Sequence, residues 1–444
     1  MKSLGRGSLA ALMKLAIDVP YYFLLVLFPV VVALAFWVVL THKGNSVEVP
    51  VQFQLDAASH PFTTAREDIA DASITKAHGT LVVRGSAASR GVFRYGLGVA
   101  IIGLGVVVFV LNRLRAIFRS LRDQSPFVAA NASRIRLIGI VLILGELGRS
   151  GLAAWLAATI ARDVSIAGLT FTADPLPNKW VVFAGLVLLM LAEVFRLGAQ
   201  MKGDLETARQ IQFNLVPGEF FRKNEAVVHA RMRPVRTVGG DYYDVIELDE
   251  NRLAIVLGDV AGKGLPAAML MASVLGSVRA LLSAGLRGRE LVAALNRHVC
   301  ASTASGRLVT LFYGEIDTST GAMTYVNAGH NPPILLRSDG RVDRLPPTTM
   351  VLGALADAAI EARQVEIGPA DRLLIFTDGF SEAFNKKDEE YGEERLAASL
   401  ARARDLRPST VVERLIADVL SFCGSVPPHD DMTLMLFSRQ PVTP

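Results

Sequence analysis

Four long apolar runs dominate the first half of the chain. They are Tyr21–Leu40, Tyr95–Leu111, Leu137–Ala161 and Trp180–Ala192 with its flanks. A helix needs roughly 20 apolar residues to cross the hydrocarbon core of a bilayer. Basic residues precede the first run, as in a signal peptide, but its length and the three later runs favour a retained anchor. The pattern predicts an all-α, four-helix transmembrane domain over residues 1–196.

The basic residues predict the orientation of these spans, because Lys and Arg concentrate in cytoplasmic loops. Basic residues precede the first span, six arginines lie between the second and third spans, and Arg196 and Lys202 follow the fourth. We therefore expect a multi-pass protein of a bacterial cytoplasmic (inner) membrane, with both termini in the cytosol and the lipid bilayer as a partner. An external segment would span about residues 42–94, where Val47–Leu55 and Gly79–Ser86 alternate like short strands.

Two charged residues interrupt the third span. Glu146 and Arg149 are three positions apart and therefore share one helical face. Charges at this depth are costly and usually turn inward and pair. The pair is either a sensing element or an ion pair that fixes helix packing. The segment Phe118–Arg136 and the order of the spans resemble a bacterial four-helix membrane family of unassigned function.

A polar stretch over residues 197–219 follows the last span and predicts a helical linker. It ends at Pro217 and Gly218. Spacings of three and four place one stripe on this helix: Leu205, Ala208, Ile211, Gln212 and Leu215. The stripe either docks on the domain that follows or pairs with a second copy, which would make the protein a homodimer through the linker helix.

The second half alternates between strand-like and helix-like patterns. Eight alternating stretches, from Ala226–Met232 to Thr433–Ser438, predict strands, and four longer runs predict helices. Many strands with two pairs of helices are typical of an α+β sandwich, with antiparallel sheets inside and helices outside. We assign this domain to residues 220–439 and a tail to residues 440–444.

Bulk composition narrows the function classes. The chain is 51% hydrophobic and its formal net charge is only +4. We therefore expect no nucleic-acid partner. The two cysteines, Cys300 and Cys423, lack metal-binding spacing, which fits a reducing cytosolic location for the second half.

Acidic motifs carry the candidate chemistry. The stretch Ile255–Ala267 is a predicted strand that delivers Asp259 into a glycine-rich turn at the start of a helix. Further acidic motifs are GGDYYD with Asp241, TDG with Asp378, and HDD with Asp430. Each motif alone is typical of a common turn. GGDYY departs from the GGDEF motif of diguanylate cyclases, and the glycine-rich turn lacks the P-loop spacing GxxxxGK[ST]. Together they indicate a dinuclear centre for hard divalent metals, which prefer carboxylate and carbonyl oxygens.

Seven segments extend this pattern into a family resemblance. ARQIQFNLVP, VGGDYYDV, LGDVAGKGLPAAMLMA, VTLFYGEID, NAGHNPPILL, LLIFTDGFSEAFN and HDDMTLMLF occur in this order between Ala208 and Phe437. They resemble the bacterial PPM-type serine/threonine phosphatases of the SpoIIE/RsbU class. The resemblance implies a PPM phosphatase-like αββα sandwich, two Mn²⁺ or Mg²⁺ ions, and phosphorylated STAS-domain anti-anti-sigma factors of partner-switching pathways as substrates.

The same resemblance suggests roles for the motif residues. Asp259 resembles the ligand that bridges the two ions, and the Val260 carbonyl would add another oxygen. Asp378 and Asp430 resemble ligands of the second ion. Asp241 resembles the carboxylate of the first motif and would reach an ion directly or through water.

Other polar residues near these motifs are candidates for supporting roles. Asp244 and Asp431 are expected to accept hydrogen bonds behind the ligands, although Asp430 and Asp431 could exchange roles. Arg236 either binds substrate phosphate or is a surface arginine, and Lys263 is expected to face solvent near the site and to help attract the anionic substrate. His330 is either a general acid or part of a structural turn, and we assign it to the turn.

We therefore predict a membrane-anchored, metal-dependent protein serine/threonine phosphatase. Metal-activated water would attack phosphorus in line, without a phosphoenzyme. Two alternatives are a catalytically inactive module that docks a regulatory partner and a membrane scaffold whose catalytic domain is incidental.

Overall fold

The chain divides into two compact units, Met1–Lys202 and Gly203–Pro444. A computed structural model describes residues 9–41, 46–55, 77–84, 86–122, 126–163, 169–172, 176–302 and 307–439. The division between Lys202 and Gly203 lies inside the predicted linker. The predicted tail, residues 440–444, lies outside the described part.

Four long helices and a small antiparallel sheet make up the first unit. The helices are α1 (Leu9–Thr41), α2 (Ser86–Arg122), α3 (Ala129–Asp163) and α4 (Lys179–Leu215), the last of which continues into the second unit. The strands β1 (Ser46–Leu55), β2 (Ala77–Arg84) and β3 (Leu169–Thr172) pair in the order β2-β1-β3. The four helices and the first two strands are as predicted. The third strand, between α3 and α4, was not predicted because its four residues are too few to show a period.

An ion pair and a hydrogen bond connect neighbouring helices of the first unit. Arg115 of α2 lies 2.7 Å from the Asp18 carboxylate of α1. In α3, the Glu146 carboxylate pairs with Arg149 and also accepts a hydrogen bond of 2.7 Å from the Asn178 N–H, just before α4. Glu146 is only 8% exposed. These contacts connect α3 to the start of α4 and accord with the packing interpretation of the Glu146–Arg149 pair.

The predicted linker is not a separate element, because α4 runs without a break from Lys179 to Leu215. Within it, Gln212 is buried and three members of the predicted stripe are half-buried: Leu205, Ala208 and Leu215. Ile211, in contrast, is 58% exposed. The side that faces the sandwich is therefore centred on Gln212 and leaves Ile211 in solvent.

Two antiparallel sheets form the interior of the second unit. The first has six strands in the order β11-β10-β13-β14-β5-β4, and the second has five in the order β12-β9-β8-β7-β6. The strands are β4 (Phe220–Lys223), β5 (Ala226–Arg233), β6 (Tyr242–Glu247), β7 (Arg252–Val260), β8 (Val309–Asp317), β9 (Ala322–Ala328), β10 (Ile334–Leu336), β11 (Val342–Arg344), β12 (Arg363–Glu366), β13 (Arg372–Phe376) and β14 (Met432–Arg439).

Helices cover the outer face of each sheet. Helices α5 (Leu265–Ser283) and α6 (Gly288–Ser302) pack on the five-stranded sheet, and α8 (Glu393–Arg402) and α9 (Pro408–Cys423) pack on the six-stranded sheet. A single-turn helix, α7 (Asp378–Ser381), follows β13. One apolar core fills the space between the sheets and beneath α5 and α6, and a second lies beneath α8 and α9. This is the predicted αββα sandwich, with all eight predicted strands and all four predicted helices.

Hydropathy alone does not distinguish one sandwich helix from a membrane span. Among the described residues, five helices are long and apolar enough to cross a membrane: Ala16–Thr41, Gly96–Leu121, Ala129–Trp155, Lys179–Leu215 and Leu265–Ser283. The first four match the predicted spans. The fifth is α5, whose apolar side packs against the sandwich instead.

Candidate metal centre

The strand pairing brings the first two acidic motifs together. Asp241 directly precedes β6, and Asp259 is the penultimate residue of β7. These strands are antiparallel neighbours in which Tyr242 pairs with Gly258. The start of β6 therefore lies beside the end of β7, and the two carboxylates lie at one edge of the five-stranded sheet.

The other two motifs meet in the same way on the six-stranded sheet. Asp378 follows β13, and Asp430 and Asp431 precede β14. These strands are also antiparallel, with Phe376 opposite Leu434. The predicted ligands thus come from the corresponding edges of two sheets.

Hydrogen bonds across the sandwich hold these edges together. The Thr377 hydroxyl donates to the Asp241 carboxylate over 2.8 Å and accepts from the Thr433 N–H over 3.0 Å. The Asp431 carboxylate accepts from the Val235 and Gly240 N–H groups, each over 2.8 Å. The carboxylates of the two sheets are therefore held in one acidic cluster.

Burial and mutual repulsion perturb this acidic cluster. Burial raises the pKa of Asp241 well above its usual range, and the nearby Asp259 charge raises it further. Burial and then the Asp378 charge raise the pKa of Asp259 to about 7. For Asp378, burial and then the Asp430 charge raise the pKa to about 6. Carboxylates crowded in this way are stabilised in their charged form by a cation between them.

Two glycines allow the backbone to lie close to the acidic residues of the cluster. A Cβ atom on Gly240 would lie 2.7 Å from the Val260 carbonyl oxygen and 3.2 Å from an Asp259 carboxylate oxygen. A Cβ atom on Gly379 would lie 2.0 Å from the Asp431 carbonyl oxygen. Only glycine therefore fits at these two positions without displacing the backbone or the acidic residues.

The donor set fits hard divalent cations. Within the described ranges, no group of three or more His, Cys, Asp or Glu side chains is already arranged to hold a single ion. A centre here would instead combine carboxylates from several motifs with the Val260 carbonyl and water. Hard divalent cations prefer such oxygen donors, and Mg²⁺ in particular retains several waters.

Asp430 and Asp431 differ in what they contact. Both oxygens of Asp431 accept backbone N–H bonds from the segment that precedes Asp241. One oxygen of Asp430 accepts the Asp431 N–H over 2.9 Å, and the other lies 2.7 Å from the Lys263 ammonium. This difference favours Asp430 as a ligand and Asp431 as a residue that positions the loop.

Asp244 lies within β6, three residues after Asp241, and is 1% exposed. Its carboxylate accepts hydrogen bonds from Arg279 of α5 over 2.7 and 3.2 Å, and Arg279 also donates to the Leu215 carbonyl at the end of α4. Asp244 therefore connects β6 to two helices. In the part of the chain that is described, it makes no hydrogen bond to the four predicted ligands.

The predicted substrate-binding cations have different environments. The Lys263 ammonium is not free in solvent, because it pairs with Asp430 and donates to the His429 carbonyl over 2.6 Å. Arg236 is exposed beside the glycine turn, with Nη1 3.5 Å from the position that a Cβ on Gly264 would occupy.

His330 lies inside the fold, where it is 2% exposed. Its Nδ1 is 2.9 Å from the Thr310 hydroxyl, and its backbone N–H donates to Asn327. Burial lowers the pKa of His330 to about 4, so the ring is neutral at physiological pH. This environment accords with the structural turn.

The sequence placed Gln212 in the linker stripe but did not reveal its role at the junction of helix and site. The Gln212 side chain donates to the Gly239 carbonyl over 2.7 Å and accepts from the Gly239 N–H over 3.1 Å. Gly239 is two positions before Asp241. The available signal was a glutamine in a stripe of apolar residues, since such a residue requires buried hydrogen-bond partners.

The second half of the chain is similar to proteins of known family. Residues 249–440 match the family model described as Stage II sporulation protein E (SpoIIE). This part of the chain is a SpoIIE-family domain. The matched range contains Asp259, Asp378 and Asp430, whereas Asp241 and α4 precede it.

Curated relatives of this SpoIIE-family domain include two bacterial proteins. Protein IcfG of Synechocystis is 26% identical over 291 residues, which cover 60% of this chain and 46% of IcfG. Phosphoserine phosphatase RsbU of Bacillus subtilis is 24% identical over 242 residues, covering 54% of this chain and 71% of RsbU. The chain thus spans about half the length of IcfG.

Solved structures similar to the SpoIIE-family half include two bacterial proteins. The RsbU and RsbW domains of Rv1364c from Mycobacterium tuberculosis align with 27% identity and a TM-score of 0.45, covering 52% of this chain and 63% of that one. The SiaA-PP2C domain of Pseudomonas aeruginosa aligns with 21% identity and a TM-score of 0.47, covering 54% and 98%.

Proposed function

We propose that the protein is a membrane-anchored, metal-dependent protein serine/threonine phosphatase. One observation carries the proposal: Asp241, Asp259, Asp378 and Asp430, which are far apart in sequence, approach one another at the edges of two sheets. Membership of the second half in the SpoIIE family supports it. So do the relatives RsbU and RsbP of Bacillus subtilis, which are named phosphoserine phosphatases.

Two Mn²⁺ or Mg²⁺ ions would be held by these residues. Asp259 would contribute to both ion sites, and the Val260 carbonyl would add another oxygen. Asp378 and Asp430 would contribute to the second site, and Asp241 would bind directly or through water. Bound ions would supply positive charge to the phosphoryl oxygens and lower the pKa of a water molecule.

Neighbouring groups of the protein would fix the orientation of these ligands. Thr377 holds the Asp241 carboxylate by a hydrogen bond, and Asp431 holds the loop that carries Gly240. Such hydrogen bonds behind the ligands preorganise a metal site. The proposal includes direct in-line attack of water on phosphorus, without a phosphoenzyme.

The proposed substrate is a phosphoserine or phosphothreonine of a regulatory protein, of the STAS-domain anti-anti-sigma type in a partner-switching pathway. The acidic cluster suits a phosphomonoester bound through metal ions, because its carboxylates would otherwise repel the phosphate. No nucleic-acid partner is proposed, since the formal net charge of the chain is only +4.

The proposed location is a bacterial cytoplasmic membrane, with α1 to α4 as spans and the SpoIIE-family domain in the cytosol. We also propose a homodimer formed through α4. Positions at alternating spacings of three and four residues form the seam of a coiled coil. On α4 such a series comprises Val194, Leu197, Met201, Asp204, Ala208, Ile211 and Leu215, of which Val194, Leu197, Met201 and Ile211 are large, apolar and exposed.

The test is hydrolysis of a generic phosphomonoester by the full-length protein in lipid nanodiscs, with Mn²⁺, with Mg²⁺ and with chelator. We expect turnover that depends on metal and is lost in Asp259→Asn and Asp378→Asn. Asp357→Asn, which changes an exposed carboxylate elsewhere in the domain, is the matched control and should retain turnover.

Two outcomes would contradict the proposal. If the unchanged protein hydrolysed no phosphomonoester with either ion, the alternative of an inactive module that docks a regulatory partner would be favoured. Chelator-resistant turnover that survives both substitutions would exclude the proposed centre.

A further inference from the structure

The glycine turn after Asp259 carries two arginine side chains from separate parts of the chain. Gly262 and Gly264 both have positive φ angles, 111° and 79°. Arg307 Nη1 lies 3.0 Å from the position that a Cβ on Gly262 would occupy, and Arg236 Nη1 lies 3.5 Å from that of Gly264. The absence of side chains on the turn is what lets both guanidinium groups lie against its backbone.

The position of Arg307 is fixed by the backbone beside it. The Ala261 N–H donates to the Leu308 carbonyl over 2.9 Å, which joins the segment after Arg307 to the turn. Leu308 leads directly into β8, the neighbour of β7 in the sheet. Arg307 is therefore held beside the acidic cluster by sheet structure.

Unlike most basic residues around them, these two arginines have no charged partner among the described residues. Across residues 176–302 and 307–439, neither Arg236 nor Arg307 makes an ion pair or a hydrogen bond with another described residue. Lys263, in the same turn, is committed to Asp430 and the His429 carbonyl. Arg236 is exposed and Arg307 partly exposed, so both are accessible to a ligand.

Guanidinium groups bind phosphate through two parallel N–H donors, with more geometric specificity than an ammonium group offers. A phosphoryl group that approaches the acidic cluster meets carboxylates, so positive groups beside it favour its entry. We infer that Arg307, together with Arg236, binds the phosphoryl group of the substrate at the glycine turn. This assignment rests on the proposed function, and it replaces Lys263 with Arg307 as the second substrate-binding cation.

The test measures phosphate binding directly, so that it does not depend on turnover. Calorimetry with inorganic phosphate is done on the full-length protein in nanodiscs with saturating Mn²⁺. We expect Arg307→Met to weaken phosphate binding by roughly tenfold, as for loss of a charge-assisted hydrogen-bond donor, and Arg307→Lys to weaken it less. Arg236→Met should act in the same direction.

Steady-state kinetics and metal binding complete the test. The KM for a phosphomonoester should rise by roughly tenfold in Arg307→Met, with kcat changed by less than about threefold, because the contact exists before and during the reaction. The affinity for Mn²⁺ should be unchanged. Arg297→Met, an exposed arginine of α6, is the matched control and should behave like the unchanged protein.

Unchanged phosphate affinity in Arg307→Met would overturn the inference. So would an equal loss in Arg297→Met, or a loss that is accompanied by weaker Mn²⁺ binding, since either would indicate a general disturbance of the fold. Raised KM for a phosphoprotein without weaker phosphate binding would also overturn it, by assigning Arg307 to another part of the substrate. If the protein binds phosphate through Arg307 but hydrolyses nothing, the proposed function fails and this inference stands.

Discussion

Replacing Gln212 by leucine tests how the end of α4 is attached to the candidate metal centre. The substitution removes both hydrogen bonds to Gly239 while retaining side-chain volume and apolar contact. Gln212 is 4% exposed, so water has little access to the two abandoned backbone groups. Each unsatisfied buried group costs roughly 1–3 kcal/mol, and burial of the leucine side chain offsets part of this cost. We therefore expect the free energy of unfolding to decrease by about 2–4 kcal/mol.

The assay is urea unfolding of a fragment that begins at Gly203, in chelator. In thermal unfolding, a loss of this size in a domain of more than 200 residues corresponds to a fall in Tm of about 4–16 °C. Amide hydrogen exchange of Gly239–Asp241 should accelerate, and the affinity for Mn²⁺ should fall, because this segment leads into Asp241. Gln210→Leu, an exposed glutamine of the same helix, is the matched control.

The reasoning is refuted if Gln212→Leu and Gln210→Leu differ by less than about 0.5 kcal/mol, the usual range of surface substitutions. Loss of stability without faster exchange at Gly239 would locate the effect elsewhere in the fold.

Three further predictions concern the charges around the centre. Burial and neighbouring carboxylates raise the pKa of Asp259 to about 7 and that of Asp378 to about 6. Between about pH 4 and about pH 7 the folded state therefore loses protons that the unfolded state has already released. In chelator, the free energy of unfolding should decrease over this range as the pH rises. Bound metal displaces the same protons, so the Mn²⁺ affinity measured by calorimetry should weaken as the pH falls from about 8 to about 5.5. A Mn²⁺ affinity that does not change over this range would contradict the prediction. Lys263→Met removes the ammonium that pairs with Asp430 and should strengthen Mn²⁺ binding by up to about fivefold, given the partial exposure of the pair. Weaker binding in this variant would mean that Lys263 supports the ion instead of competing with it.

The elements of the sandwich were predictable where the period of the sequence is long enough to measure. The alternation in β5 and β14 and the long apolar face of α5 identify these elements without further information. Strands such as β11 and β12 have three and four residues, respectively, and are fixed by pairing with β10 and β9. Their sequences alone do not determine that pairing.

The candidate ligands were predictable because each acidic motif combines a strand end with a turn. What the sequence did not reveal is which polar residues meet across long separations. Lys263 and Asp430 are distant in the chain, so their ion pair was not expected. Arg307 lies in no recognisable motif, and only its proximity to Gly262 indicates a role.

Helix α5 has a consequence for how the chain is made. Its most apolar 18-residue stretch has a mean hydropathy of 1.7, equal to that of the span in α3. If this segment entered the bilayer during synthesis, Asp378 and Asp430 would end on the opposite side from Asp241 and Asp259, and the centre could not assemble. Arg279 lies within the segment and raises the cost of insertion. In the proposed membrane arrangement, the arginine that pairs with Asp244 in the folded domain would therefore also oppose insertion of this segment during synthesis.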